Sequence, residues 1–409
     1  MPIIFEWYYD ERRNIIVEKT KFIKYTLGEY QLKDGEYIEA GQEEITVVPK
    51  PDFIKPYKWI ASRKEWVIDE EEVERRKTLQ TQEAIRNYFP IINKIKEEVL
   101  AIKGELEQDV IGAGHLYGIN RAKSYYSNKA YYDEKVKGID YLKFIQDLAE
   151  NFDEKIDNVI EKMKFVYNRM FKLNETIVNI TTTEDNFDSI EKEFVGLVKE
   201  FPKIEDSSYD FTFEKENLKE GIATSSDVNY VAFAGDMKKY GVEYSGSFAL
   251  LSKILSTTHM HNNIRAIGGA YGAGFSITRD SEIIMFSYRD PNLKSTKEIF
   301  LTVGKYVSDM ELSEEDLESF KISLVKDFNP LLTPKHKGYT SMIMYITGSD
   351  EKELEIYLEE LLNARLEDLK GLSEVIGKVL TQDTFVVVGN TNRIKENSEE
   401  FKNIVILKK

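Results

Sequence analysis

A guanidinium and a phenol, Arg265 and Tyr271, bracket two adjacent glycines, Gly268 and Gly269, within seven residues of chain. Two more glycines follow at Gly272 and Gly274, and glycines this dense mark backbone at positive φ or backbone that another chain approaches closely. A cation, a hydroxyl and bare backbone together read as a place where something extended is held. The plainer alternative is a tight helix-to-strand connection with an incidental Arg and Tyr. A phosphate cradle fits poorly. A P-loop needs Lys-Ser/Thr directly after its last glycine, where Phe275 and Ser276 stand, and a dinucleotide fingerprint runs strand, glycines, helix, the reverse of the order here. The four histidines are His115, His259, His261 and His336. His259 and His261 lie two apart, which puts them on one face only in a strand, and the local pattern is helical. No metal site is expected from them.

Arg265-Ala-Ile-Gly-Gly-Ala-Tyr271-Gly, followed by Ser287-Tyr-Arg-Asp-Pro-Asn-Leu293, resembles the C-terminal half of the insulinase/pitrilysin (inverzincin) class of zinc metallopeptidases, in its presequence-protease or falcilysin-like branch. Further pieces agree in order: Gly114-His115, Gly138-Ile-Asp-Tyr-Leu142, Val228-Asn-Tyr-Val231, Ala234-Gly235 and Pro334-Lys-His-Lys-Gly-Tyr339. The likeness is dense from about Asp206 onward, thinner from about Asp109 to Glu205, and not seen before that.

The resemblance implies the non-zinc half of a clamshell metalloendopeptidase that degrades peptides. Zinc would sit in the other half, on His-x-x-Glu-His, carried by the same chain or by a separate subunit. None of the histidines here is followed by Glu-His at that spacing, so this chain alone is not expected to hold zinc or to hydrolyse peptides. By the same resemblance Arg265 and Tyr271 reach the substrate carbonyl beside the scissile bond, where preorganised donors meet developing negative charge. Gly268 and Gly269 would let the substrate backbone close in. Arg289 is the next candidate for a substrate anchor, with a salt bridge to Asp290 or Glu282 as the alternative. A second reading keeps the fold without the chemistry, as a non-catalytic interaction or scaffold protein. The Arg265/Tyr271 pair favours the first reading, and an unfamiliar N-terminal stretch favours the second.

The elements that must position these residues form an α+β architecture. Tyr244, Phe248, Leu251 and Leu255 share one face of a helix leading into the glycines, and a hairpin follows around Arg279–Glu282. Strand-like runs at Gly221–Ser225, Val228–Phe233, Thr384–Val388 and Ile404–Leu407 complete a sheet, with helices at about Ser295–Met310, Ser313–Phe328, Asp350–Leu362 and Leu366–Leu380. Hairpins with helices on one face imply a two-layer sandwich of an antiparallel or mixed sheet. Residues 206–409 read as a complete peptidase-like domain of this kind, and 67–205 as a mostly helical, partial one. There an apolar stripe (Ile92, Ile95, Val99, Ile102, Leu106, Val110) follows Pro90, which is expected to split the helix, and Glu175–Ile180 alternates like a strand. Residues 1–66 read as a small β-rich module or arm, with short β pieces at Ile15–Val17 and Glu44–Val48 and a proline-rich run over Val47–Pro56.

The chain has 409 residues, no cysteine and 42% apolar content, enough for proper cores and none for disulfides or thiolate metal sites. A net charge of −16 argues against a nucleic-acid partner and is compatible with a preference for basic peptides. No cationic-apolar leader opens the sequence and no run is long enough to span a membrane, so the cytoplasm is the expected compartment.

Overall fold

The computed structural model describes residues 9–10, 15–16, 30–33, 36–39, 57–60, 65–170, 176–199, 201, 213, 219–328 and 330–407, with backbone only for those before 67 and for 78–90 and 351. The expected β piece at Glu44–Val48 and the proline-rich run over Val47–Pro56 lie outside the described residues. The chain divides into two compact units, Met1–Ile95 and Lys96–Lys409. The first holds three short antiparallel hairpins: β1 (Tyr9–Asp10) with β2 (Ile15–Ile16), β3 (Tyr30–Lys33) with β4 (Glu36–Glu39), and β5 (Tyr57–Ile60) with β6 (Glu65–Ile68). Helix α1 (Glu70–Gly112) begins there and runs unbroken through Pro90, contrary to the break its sequence suggests. Proline removes a single i→i−4 bond, and the flanking turns of a 43-residue helix keep the ladder on both sides.

In the second unit, α2 (Gly114–Ser124), α3 (Asn128–Lys137), α4 (Ile139–Glu150), α5 (Phe152–Met170) and α6 (Glu184–Val198) precede the first long strands, β7 (Glu220–Thr224) and β8 (Asn229–Asp236). Helix α7 (Ser247–Leu255) continues directly as a π-helix over Ser256–Ile267, and the hairpin β9 (Gly272–Ile277), β10 (Glu282–Tyr288) follows. Then come α8 (Lys294–Leu301), α9 (Val303–Asp309), α10 (Glu314–Phe328), α11 (Pro334–Thr347), α12 (Glu351–Asn363), α13 (Leu366–Lys370), α14 (Ser373–Leu380), β11 (Phe385–Asn390), α15 (Thr391–Glu396) and β12 (Asn403–Ile406). Two single helices expected over Ser295–Met310 and Leu366–Leu380 are each broken in two, the second at Gly371 and Leu372. Thr176–Ile180, expected as a strand, has no strand partner: Ile177 and Val178 are exposed, and Asn179 Nδ2 donates to the Gly338 carbonyl at 2.6 Å instead. Alternation without a sheet edge to join leaves the segment extended but unpaired.

The six strands form one mixed sheet in the order β12-β7-β11-β8-β10-β9, with β12 and β11 parallel to β7 and the rest antiparallel. β8 is buried along nearly its whole length, because successive side chains feed two cores. Val231 and Phe233 face α7, α9 and α14 together with Met285, Val387, Leu251, Ile254, Val303 and Val379. Tyr230 and Ala234 face the other way, with Ile222, Val386 and Val388, against Ala122, Ile139 and Leu142. The helices that follow β8 therefore cover one face, and helices from residues 96–150 cover the other. Gly114, Gly118 and Ala122 recur every fourth residue along α2, and this narrow stripe lets the helix sit on β8. A β-carbon at Gly114 would strike the Tyr230 ring, and one at Gly118 would come within 3.0 Å of Ala232 Cβ.

Arg121 pins this helical layer to the sheet. Its Nε donates to Glu220 at 2.5 Å, and its Nη1 donates to Glu134 at 3.2 Å and Asp140 at 3.1 Å. Tyr125 and Asn403 donate to the same Glu220 carboxylate, at 2.5 and 2.6 Å. Burial works to raise the Glu220 pKa, but the hydrogen bond and charge of Arg121 outweigh it and hold it below the usual range. The Glu134 carboxylate also accepts from the Asp140 backbone at 3.1 Å and folds against Gly138, where a β-carbon would collide with it. That contact accounts for the glycine opening the Gly138–Leu142 run.

Removing the cation from such a buried cluster leaves carboxylates without compensation. Arg121→Ala should therefore lower stability by about 3–5 kcal/mol, measured by denaturant unfolding of the full chain.

Candidate functional site

The site begins with the way α7 ends. Phe248, Leu251 and Leu255 are buried as the helical spacing requires, and the chain then widens into the π-helix. π turns are rare and recur at functional sites. Here the turn's buried side carries His259, Met260 and Ile264, while His261 and Arg265 face outward, one helical step apart. His259 is 7% exposed: its Nε2 lies 3.4 Å from the Ile299 carbonyl and 3.3 Å from Thr302 Oγ1, and its Nδ1 lies 3.2 Å from Asn263 Nδ2. Its ring packs 4.4 Å from Tyr306, and burial pushes its pKa down, which makes it a neutral, fully used packing residue. His115 is likewise packed, between the rings of Phe286 and Tyr288 at 5.4 and 4.9 Å, and His336 sits 2.9 Å from the Thr333 hydroxyl at the start of α11. Among the described residues no group of three or more His, Asp or Glu is placed to hold a metal ion.

Three backbone bonds stop the helix: Gly268 N to Asn263 O at 3.0 Å, Gly269 N to Arg265 O at 3.0 Å, and Ala270 N to Ile264 O at 3.1 Å. Gly269 takes φ +80°, the left-handed conformation that favours glycine. A β-carbon on Gly268 would come within 2.6 Å of the Ile264 carbonyl. Asn292 Nδ2 ties the Gly268 carbonyl down at 2.6 Å, and Tyr271 N donates to the Arg289 carbonyl at 3.3 Å as β9 begins. Both glycines are thus demanded by the turn itself, before any ligand is considered.

The turn forms the wall of an open cleft of about 620 Å³, lined by His261, Arg265, Gly269, Tyr271 and Arg289 together with two alanines. The predicted Arg265, Tyr271, Gly269 and Arg289 are all brought to it, and Gly268 lies in the same turn. Arg265 stands with its guanidinium 6.0 Å from the Tyr271 ring, which is 69% exposed. Tyr271 meets Tyr288 edge-on at 5.8 Å, and the Arg289 guanidinium lies 5.7 Å from the Tyr288 ring. Neither salt bridge considered for Arg289 forms. Asp290 is fully buried, accepting from Thr296 Oγ1 at 2.7 Å and the Asn292 backbone at 2.8 Å, and Glu282 pairs with Lys123 at 2.5 Å. The Tyr230 hydroxyl beside Arg289 takes a hydrogen bond from it and pushes its pKa up. His261, to which the sequence assigned no role, joins the cleft; its spacing of four from Arg265 on a helix was the signal.

With that geometry in view, residues 219–392 match the family model described as the PreP C-terminal domain, and residues 76–148 match a second model, for a domain associated with the same class of peptidase. The chain corresponds to the C-terminal half of an insulinase-type peptidase. This peptidase half is 28% identical over 330 residues to Protein HypA of Clostridium perfringens, covering 80% of the chain and 34% of that protein. It is 27% identical to presequence protease 1, chloroplastic/mitochondrial, of Arabidopsis thaliana (77% of the chain, 29% of the relative) and 26% identical to the mitochondrial presequence protease of Yarrowia lipolytica (72% and 30%). It spans about a third of the length of these curated relatives. The crystal structure of pitrilysin aligns over 50% of the chain and 23% of that one, at 11% identity and a TM-score of 0.37, too distant to argue from. Among the described residues no helix is long and apolar enough to cross a membrane.

Exposed cleft residues and turn residues should respond differently to substitution. Arg265→Ala and Tyr271→Phe should melt close to wild type, whereas Gly269→Ala should cost about 1–2 kcal/mol for a β-carbon in the left-handed region. Thermal unfolding of the three variants side by side separates the two classes.

Proposed function

We propose that the chain is the substrate-binding, non-zinc half of a peptide-degrading zinc metalloendopeptidase. The observation that carries this reading is the pair Arg265 and Tyr271, exposed on a cleft wall and bound to no carboxylate among the described residues, in a chain similar to presequence proteases. A partner half, in the same chain or in a separate subunit, bears His-x-x-Glu-His and the zinc, which supplies the activated water. The residues of this chain bind and orient the peptide. The Arg265 guanidinium and the Tyr271 hydroxyl donate to the carbonyl oxygen beside the scissile bond as it gains negative charge. Gly268 and Gly269 keep that stretch of wall free of side chains, and Arg289 anchors the substrate further along it. No cofactor is assigned to this chain itself, and a reducing compartment such as the cytoplasm suits a chain without cysteine.

Both donors are held before substrate arrives, Arg265 on a packed helix and Tyr271 at the first residues of a sheet strand. Such preorganisation is the physical condition for stabilising an oxyanion. In enzyme reconstituted with the zinc-bearing half, Tyr271→Phe should lower kcat on the order of 10²–10³-fold with little change in KM, as for loss of one oxyanion donor. Full activity in that variant would sink the carbonyl-support role and leave a peptidase-like scaffold as the reading.

A further inference from the structure

Arg289 is built into the cleft wall more firmly than an incidental surface arginine requires. Its backbone sits at φ +48°, a left-handed conformation uncommon for a residue with a side chain. Paired backbone bonds hold it there: Asn229 N to Asp290 O at 2.9 Å, Asp290 N to Asn229 O at 2.8 Å, and Tyr271 N to Arg289 O at 3.3 Å. Strain of this sort persists where the surroundings over-determine it and is concentrated at functional sites. The side chain is steered as well, between the Tyr288 ring and the Tyr230 hydroxyl. That hydroxyl is itself fixed by donating to the Ile111 carbonyl at 2.6 Å.

The electrostatic setting gives the anchor a chemical preference. No carboxylate lines the cleft, while Arg265, Arg289 and His261 all do, in a chain whose net charge is −16. Among the described residues neither arginine makes an ion pair, although most Arg and Lys side chains with low exposure in this unit do. A planar guanidinium left open in this way matches a carboxylate through two parallel N–H donors. Resting on the function proposed above, we infer that Arg289 is a carboxylate anchor of the cleft, so that the assembled enzyme selects peptides presenting a carboxylate near the bond that is cut. The anchor is local. It acts within the cleft, whereas the overall negative field acts on a peptide's approach and is screened beyond about 10 Å at 0.1 M salt.

The test reads binding without turnover, in the complex of this full chain with a zinc-bearing half whose general-base Glu is replaced by Gln. Three peptides of one sequence are compared: one with an internal Glu, one with Gln in its place, and the Glu peptide amidated at its C-terminus. The Glu peptide should bind more tightly than the Gln peptide on the order of tenfold at low salt, and Arg289→Gln should bring the ratio close to one. Arg289→Lys, which keeps the charge and loses the fork, should retain part of the preference and guards against a folding defect in the glutamine variant. If amidation, and not Glu→Gln, weakens binding in an Arg289-dependent way, the anchor holds the peptide's terminal carboxylate. Equal affinity for all three peptides, or a preference that survives Arg289→Gln, overturns the inference. Because the carbonyl-support role is scored by kcat and the anchor by Kd, either can fail while the other stands.

Discussion

A helix fraying in the ordinary way at Ile267 would leave its last carbonyls bare and its direction unset. Here Asn263, Ile264 and Arg265 each give their carbonyl to a backbone N–H of Gly268, Ala270 or Gly269, and Gly269 reverses the chain at φ +80°. That single reversal allows Arg265, the last outward residue of the helix, and Tyr271, at the mouth of β9, to face the same open space. Each element is anchored independently, the helix by Met260 and Ile264 in the core and the strand by its pairing with β10. The distance between the two donors is therefore set by rigid parts joined through a turn with almost no conformational freedom.

Charge is distributed in the same economical way. Acidic residues dominate the chain, and where a cation is buried it is spent on them, as Arg121 is on Glu220, Glu134 and Asp140. The cleft is the contrast: its arginines face solvent, stack on tyrosine rings, and leave their donors open. A buried arginine in this molecule reports on how layers are joined, and an exposed one beside an aromatic ring reports on the site.

Much of this is legible in the residues alone. The glycine pair between Arg265 and Tyr271 marks the site because few residue types tolerate the backbone that a helix reversal demands. The strands of the sheet follow from alternating apolar residues, and the face of α7 follows from Phe248, Leu251 and Leu255. What cannot be read is non-local. Nothing in Gly114, Gly118 and Ala122 announces that α2 will lie against β8, because the stripe acquires meaning only from Tyr230 and Ala232 more than a hundred residues later. Thr176–Ile180 fails as a strand for the same reason, since alternation describes a segment fit for a sheet and does not supply an edge. Helix α11 is missed although Thr333 and Pro334 give a proper start signal, a capping hydroxyl followed by proline in the first turn. The widening of α7 into a π-helix has no counterpart in the residue pattern for which we can give a physical account.

β9 is the outermost strand on its side of the sheet, and its outward amides are not idle. Ser256 Oγ both accepts from Phe275 N at 3.0 Å and donates to Phe275 O at 2.7 Å, and Ser252 Oγ accepts from Ile277 N at 2.9 Å. Two helix hydroxyls thus occupy the positions that a seventh strand would use. A peptide lying along this edge cannot be zipped on residue by residue, and a second copy of the chain cannot extend the sheet there. By the alternation of an antiparallel strand, the next residue with outward-facing amide groups is Ala273, two positions from Tyr271. The sheet offers an arriving chain a single rung there, at the mouth of the cleft, and closes the rest of the ladder with serine.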